Sequence, residues 1–287
     1  MRESSRARPV SVWDTGRESL RSQLRRRYVA ATRTDAAALP PVLARHLIET
    51  YTTPGGVVLD PDARAGVVLS EALRAGRDGV GAHHDGRWRR VCAANLDRAR
   101  AEATTGTVTL LDGLDDPNAA RLPGAIDLVL TALRPCPDSD PARLLAALAA
   151  TLDTVADWVW PGGHIVITCQ PWHRHGHLVD LPGRTRRIAD GIGLLPVDHC
   201  IALTGPIRGQ HVHARATGRP SLLRGNGRGR TPLAVPVHID VLVFRVITHN
   251  PSASPRYATP GPIRICQQTP AALSILRCPA DDLGTAA

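Results

Sequence analysis

Lysine is absent from this sequence, and aromatic residues are scarce. All 35 basic side chains among the 287 residues are arginines, and aromatics make up only 3% of the chain. A hydrophobic core must therefore be built mainly from Val, Leu, Ile and Ala. Hydrophobic residues contribute 43% and charged residues 21%, which is typical of a soluble globular protein. The length suits one large α/β domain with appendages or two small domains.

Paired cysteines and long apolar runs are also missing. The six cysteines show no Cys-x-x-Cys pair or zinc-ligand spacing, and the alternating histidines at 173–177 are interpreted as surface residues, so we predict no metal site. No run approaches the ~18 apolar residues of a membrane span, and no apolar stretch follows the first arginines as in a signal peptide. We therefore expect a cytoplasmic protein that does not enter a membrane.

The net charge of +9 and the pI of about 10.2 favour a nucleic-acid partner. Part of this excess is also typical of a GC-rich genome, because Arg replaces Lys throughout and Ala, Gly and Pro are abundant. Two stretches concentrate the charge: an Arg-rich N-terminal arm over residues 1–40, and residues 206–238, which contain no acidic residue. The second stretch is either a nucleic-acid contact or a solvated basic loop.

Between residues 41 and 246, short apolar strands alternate with helices. Strands are predicted at 57–60, 79–82, 107–111, 126–131, 163–168, 197–203 and 239–246, and helices between most of them. This alternation predicts an α/β domain with a mostly parallel sheet and helices on both faces. The last two strands lack a clear helix between them, which predicts an antiparallel strand at one sheet edge. Residues 247–287 are rich in Pro and Ser and are interpreted as an irregular tail.

Ligands of an open parallel sheet bind beyond the carboxyl ends of its strands. Four such ends are predicted here, at 60–66, 83–85, 112 and 131–135. An acidic residue after the second strand commonly holds ribose hydroxyls, but His83 and His84 occupy that place, with Asp85 just beyond. No Gly-x-Gly-x-x-Gly motif is present, which argues against a dinucleotide oxidoreductase.

A long set of residues resembles the bacterial S-adenosylmethionine-dependent DNA methyltransferases that act on the exocyclic amino group of cytosine or adenine. The resemblance spans roughly residues 11 to 246. It is carried by Ser11-Val12-Trp13, Arg27-Tyr28, Ala44 to Thr52, Pro54-Gly55, Leu59-Asp60-Pro61, Gly66, Leu69, Glu71-Ala72, Gly76-Arg77, Val80-Gly81, Arg87-Trp88 and Ala94-Asn95-Leu96. It implies a class I (Rossmann-like) methyltransferase fold, S-adenosylmethionine as a cofactor and DNA as a partner.

The resemblance also implies positions for the cofactor and the DNA. The cofactor-binding positions are Asp60, Gly66, His83, Asp85 and Asp112. The segment after the catalytic motif supplies target recognition in that family, so DNA contacts are expected at Arg208, Arg215, Arg224, Arg228 and Arg230.

The motifs themselves depart from the family pattern. The cofactor loop usually reads Asp-Pro-Phe/Met-x-Gly-x-Gly-Thr-Thr, whereas Asp62 here replaces the aromatic or Met and Arg64 replaces the first glycine. The catalytic motif, usually Ser/Asp/Asn-Pro-Pro-Tyr, falls at Ala132-Leu133-Arg134-Pro135. Ala132 offers no acceptor for the amine and Pro135 no stacking ring, and each lost electrostatic contact typically costs ~10²–10³ in rate. We therefore predict that no catalytic residue is intact.

Three functions remain open from the sequence. The first is a degenerate methyltransferase-fold protein that retains binding to DNA or to a partner. The second is an active S-adenosylmethionine-dependent DNA methyltransferase with divergent loops, in which Asp62, Asp85 or Asp112 compensates. The third is a non-enzymatic nucleic-acid-binding module.

Overall fold

The structure is a computed structural model that describes residues 10–35, 38–83, 85–102, 105–135, 139–175, 177–215 and 234–247. The predicted tail from residue 248 onwards lies outside these ranges. So do His84 and three of the five predicted DNA-contacting arginines, Arg224, Arg228 and Arg230.

Twelve strands and six α-helices are assigned within the described residues. The strands are β1 (Val12–Trp13), β2 (Val57–Asp60), β3 (Asp78–Ala82), β4 (Val108–Leu111), β5 (Ile126–Leu133), β6 (Val159–Cys169), β7 (Trp172–Arg174), β8 (His177–Val179), β9 (Leu195–Leu203), β10 (Ile207–Arg208), β11 (His211–Val212) and β12 (His238–Arg245). The helices are α1 (Leu20–Leu24), α2 (Pro41–Tyr51), α3 (Val67–Arg74), α4 (Gly86–Arg100), α5 (Pro141–Ala156) and α6 (Leu181–Gly191), with 3₁₀ turns at Ala30–Thr34 and Pro117–Arg121.

Eight strands form one sheet in the order β1-β9-β12-β6-β5-β2-β3-β4. Every neighbouring pair is parallel except the two that involve β12. This arrangement confirms the predicted mostly parallel α/β sheet and is that of the class I methyltransferase fold. The antiparallel strand lies inside the sheet, between β9 and β6, and not at the predicted edge. The apolar run Val241–Phe244 explains this central position, because its side chains are buried on both faces of the sheet.

Helices cover both faces of the sheet and enclose separate apolar clusters. On one face, Leu47 of α2 belongs to the same buried cluster as Val241 of β12. On the other face, Leu152 of α5 shares a cluster with Leu242 of the same strand. None of the described helices is long and apolar enough to cross a membrane.

Residues 10–35 belong to the α/β domain, although the sequence predicts a separate Arg-rich arm there. Strand β1 pairs in parallel with β9, so that Val12 lies opposite Ile201. The side chains of Trp13, Leu24 and Tyr28 are buried in the cluster that contains α2. The described part of the arm therefore contributes to both the sheet and the core.

Candidate functional site

The four predicted strand ends lie side by side where the parallel strands of the sheet terminate. We call this carboxyl end of the strands the edge of the sheet. Asp60 ends β2 opposite Gly81 of β3, and Ala82 of β3 lies opposite Leu111 of β4. Strand β5 is the other neighbour of β2. This edge is where the fold and the resemblance both place a cofactor.

The loop after β2 keeps two features of the family's cofactor loop. Asp60 is buried, and its Oδ1 accepts the backbone N–H of Asp62 at 3.1 Å. Gly66 precedes α3 with φ +73°, and a Cβ there would lie 2.4 Å from Sγ of Cys92, so this position requires glycine. The start of α3 therefore agrees with the resemblance, whereas the loop before it departs from it.

Arg64, which replaces the first loop glycine, occupies the loop with its own side chain. Its φ of +39° lies in the region that favours glycine. Its Nε donates to Oδ1 of Asp35 at 3.1 Å, and Asp35 is almost fully buried. Its guanidinium also lies 4.7 Å from the ring centroid of Trp88, a cation–π contact. Asp35 and Trp88 were not among the sequence predictions.

Arg134 enters the same space from the end of β5. Its Nη1 donates to the carboxylate of Asp62 at 2.9 Å and to the backbone oxygen of Asp62 at 3.3 Å. The two replaced motifs therefore contact each other, since Asp62 stands in the cofactor loop and Arg134 in the catalytic motif.

The cavity beside these two ion pairs has a volume of only about 10 Å³, and one member of each pair lines it. It is lined by Asp35, Ala38, Leu39, Asp60, Ala63, Val67, Val68 and Arg134. A volume of this size is at the lower limit for one water molecule, whereas small-molecule sites usually measure roughly 300–1,000 Å³. Burial raises the pKa of Asp60 to about 7, against the opposing effect of the nearby Arg134 guanidinium.

The other cofactor positions are engaged in structural contacts. His83 is buried, and its backbone N–H donates to the Leu111 carbonyl at 3.0 Å. Asp85 accepts the N–H of Arg87 at 2.7 Å and so caps the start of α4. Asp112 forms an ion pair with Arg89. Both acids that the resemblance assigns to this side of the cofactor therefore already have partners.

The catalytic motif position lies partly within a strand. Strand β5 extends through Leu133, two residues beyond the predicted end, because Ala132 and Leu133 pair with Thr168 and Cys169 of β6. Leu133 belongs to the core. At this motif position, Ala132 therefore offers no side-chain acceptor, and Arg134 turns towards Asp62.

A second, open cleft of about 410 Å³ lies beyond the end of β9, at the same edge of the sheet. It is lined by Ser19, Pro206, Arg208, His213, Ala214 and Arg215. We call it the basic cleft. It brings together the two predicted DNA-contacting arginines that the structure describes.

The two arginines of the basic cleft differ in their contacts. Arg215 donates to the backbone oxygens of Gly16 at 2.6 Å, Arg17 at 2.7 Å and Thr204 at 3.3 Å, so it holds the wall of the cleft together. Arg208 is exposed on β10. Among the described residues, no group of three or more His, Cys, Asp or Glu side chains is placed to hold a metal ion.

No family model matches this chain, and no curated protein is significantly similar to it in sequence. Among solved structures, TrmN from Thermus thermophilus is 16% identical, with 76% of this chain and 52% of that chain covered and a TM-score of 0.48. Precorrin 8w decarboxylase from Methanobacterium thermoautotrophicum is 20% identical, with coverages of 77% and 97% and a TM-score of 0.47. A TehB-like SAM-dependent methyltransferase from Corynebacterium glutamicum is 14% identical, with coverages of 71% and 86% and a TM-score of 0.42.

The chain spans about half the length of the TrmN chain. Likenesses this distant leave substrate and activity open. The strand order of the sheet, with antiparallel β12 between β9 and β6, defines a class I methyltransferase fold.

Proposed function

We propose that this protein is a degenerate member of the DNA amino-methyltransferase type that binds DNA without S-adenosylmethionine and transfers no methyl group. The observation that carries the proposal is the filled cofactor cleft. Arg64 pairs with Asp35 and Arg134 with Asp62, and the cavity that Asp35 and Arg134 line beside the end of β2 measures only about 10 Å³.

Electrostatics and energetics both oppose the cofactor. S-adenosylmethionine carries a positive sulfonium, and the carboxylates of Asp35 and Asp62 that could face it are already paired with Arg64 and Arg134. A cofactor would have to separate both guanidinium groups from their carboxylates, and these pairs are largely buried, so its affinity would be reduced by the cost of that separation.

The chemistry of the reacting amine points the same way. An exocyclic amine is a weak nucleophile because its lone pair is delocalised into the ring, so a methyltransferase must accept hydrogen bonds from it. Ala132 has no acceptor at the place where the resemblance puts one.

The basic cleft supports DNA as the partner. The chain carries a net charge of +9, and Arg208 is exposed at the cleft beyond β9. Phosphate contacts from arginine position a protein on DNA without reading its sequence. DNA binding therefore does not depend on the filled cofactor cleft.

The cofactor part of the proposal predicts no stabilisation of the protein by S-adenosylmethionine. A ligand at 100 times its dissociation constant stabilises a fold by about 2.7 kcal/mol, so millimolar cofactor would raise the Tm by several degrees if it bound at micromolar affinity. We expect no change in Tm in a thermal unfolding experiment. The variant Arg64→Gly/Asp35→Asn/Arg134→Ala/Asp62→Asn removes both charges of each pair, so that no buried charge is left unpaired, and restores the loop glycine, and we expect it to gain a shift. A shift in the wild type, with transfer of labelled methyl groups to unmethylated DNA, would instead establish the active enzyme.

The DNA part predicts binding that weakens steeply with salt. Arg208→Ala should reduce the slope of log K against log[salt] by about 1, as expected for the loss of one phosphate contact. Fluorescence anisotropy with a labelled duplex, over a salt series, measures this slope. Arg121→Ala is the matched control, because Arg121 is exposed but precedes β5 at the opposite edge of the sheet. An affinity that does not change with salt would contradict DNA binding.

A further inference from the structure

The hairpin of β7 and β8 belongs to neither cleft. It forms a separate two-stranded ladder outside the main sheet. It follows β6, whose last residue Cys169 lies opposite Leu133 of β5. The hairpin therefore starts at the edge that carries the filled cleft and the basic cleft.

One face of the hairpin is anchored to the domain. Trp172 and Val179 lie opposite each other in the ladder, and both pack in the core cluster of α5. Arg174 is on the same face by strand alternation, and its Nη1 lies 3.6 Å from Oδ1 of Asp140, the N-cap of α5. Because this face is fixed at both a buried tryptophan and an ion pair, the hairpin is held in place.

The opposite face presents an apolar side chain to solvent. His173 and Leu178 are cross-strand partners on that face, and Leu178 is 64% exposed. His177 pairs with Arg174 and therefore belongs to the anchored face, so the solvent-facing side of the ladder consists of His173 and Leu178. The hairpin thus holds a large, exposed leucine in a fixed position.

The helix that follows the hairpin carries positive charge. Arg184, Arg186 and Arg187 of α6 are all exposed. Between Trp172 and Arg187 the sequence contains four arginines and a single acid, Asp180. The charge on this stretch is therefore complementary to a phosphate backbone.

We propose that the β7–β8 hairpin is a DNA-contacting element that inserts Leu178 between base pairs, with the exposed arginines of α6 as its phosphate contacts. Apolar side chains such as leucine act as wedges that unstack a base step and kink the duplex. This inference rests on the proposed function, since it requires that the protein binds DNA.

The test uses the full-length protein and a DNA duplex with 2-aminopurine in place of one adenine, whose fluorescence rises when the base is unstacked. We expect the wild type to raise the fluorescence at least about twofold on saturation. Leu178→Ala should abolish this rise and weaken binding about 10-fold, which corresponds to about 1.4 kcal/mol. Leu178→Met should retain both. Leu195→Ala is the control, because Leu195 is 43% exposed but lies at the start of β9, at the opposite edge.

The outcomes separate this inference from the proposed function. If the wild type binds DNA without a rise in fluorescence and Leu178→Ala binds equally well, the wedge is overturned and DNA binding stands. If the wild type binds no DNA, the proposed DNA function fails and the wedge with it. Binding to anionic lipid vesicles in place of DNA, lost in Leu178→Ala, would overturn both.

Discussion

Replacing Glu71 with alanine is expected to lower the free energy of unfolding by about 3–5 kcal/mol, the usual cost of removing one partner from a buried ion pair. The Glu71 side chain is fully buried in α3. Its carboxylate accepts hydrogen bonds from Oη of Tyr28 at 2.5 Å, Nη2 of Arg27 at 3.2 Å and Nη1 of Arg74 at 3.1 Å.

The large effect follows from what the substitution leaves behind. Tyr28 is buried, and burial beside Glu71 raises the pKa of its phenol, so the hydroxyl stays protonated and needs an acceptor. Alanine removes that acceptor and leaves the nearly buried Arg74 with only Glu102 as an ion-pair partner. The same contacts fasten residues 27 and 28 to α3, so the N-terminal segment should loosen as well.

Urea unfolding followed by circular dichroism measures the effect. Glu71→Gln retains an acceptor for Tyr28 and should lie between the wild type and Glu71→Ala. The matched control is Glu49→Ala, which removes an exposed pair with Arg45 at 2.9 Å and should cost no more than about 0.5 kcal/mol. A loss below about 1 kcal/mol in Glu71→Ala would show that the network contributes little.

The regular part of the fold follows from the sequence because burial and strand length are local signals. Val57–Asp60, for example, is an apolar run bounded by Gly56 and by the polar loop after it. Strand β1 has only two residues, and its pairing is fixed by the distant partner Ile201, so no local pattern predicts it. Helix α6 begins at Leu181, where Asp180 as the N-cap and Pro182 in the first turn are local start signals.

Part of the candidate site can also be predicted from the sequence and part cannot. The strand ends meet because the strands are parallel, and the sequence alone shows that Arg64 and Arg134 depart from the family's motifs. The sequence does not predict the ion-pair partners of these arginines, because Asp35 lies 29 residues from Arg64 and Asp62 lies 72 residues from Arg134. Only the packed fold shows that the two changed motifs fill one cleft together. Asp85 illustrates the opposite case, since an aspartate just before a helix is more simply explained as an N-cap than as a ribose ligand.

Asp60 provides a second large prediction, in which stability depends on pH. Its pKa is raised from 3.8 to about 7 because burial disfavours the charged carboxylate. Between about pH 4 and pH 7, the folded protein holds this proton while the unfolded chain has released it. Stability therefore falls as pH rises through that window, by up to about 1.4 kcal/mol per pH unit, and levels off above pH 7.

Asp60→Asn should remove this dependence. The amide oxygen can still accept the N–H of Asp62, and the side chain cannot ionise, so the variant should match the wild type near pH 4 and exceed its stability at pH 8 by up to about 4 kcal/mol. Other groups also titrate, so the informative quantity is the difference between variant and wild type in urea unfolding at several pH values. Asp97→Asn, at a largely exposed carboxylate paired with Arg100, should show a nearly constant difference. A difference for Asp60→Asn that is equal at pH 4.5 and pH 8 would mean that water reaches this carboxylate. That result would also argue against the closed cleft on which the loss of the cofactor depends.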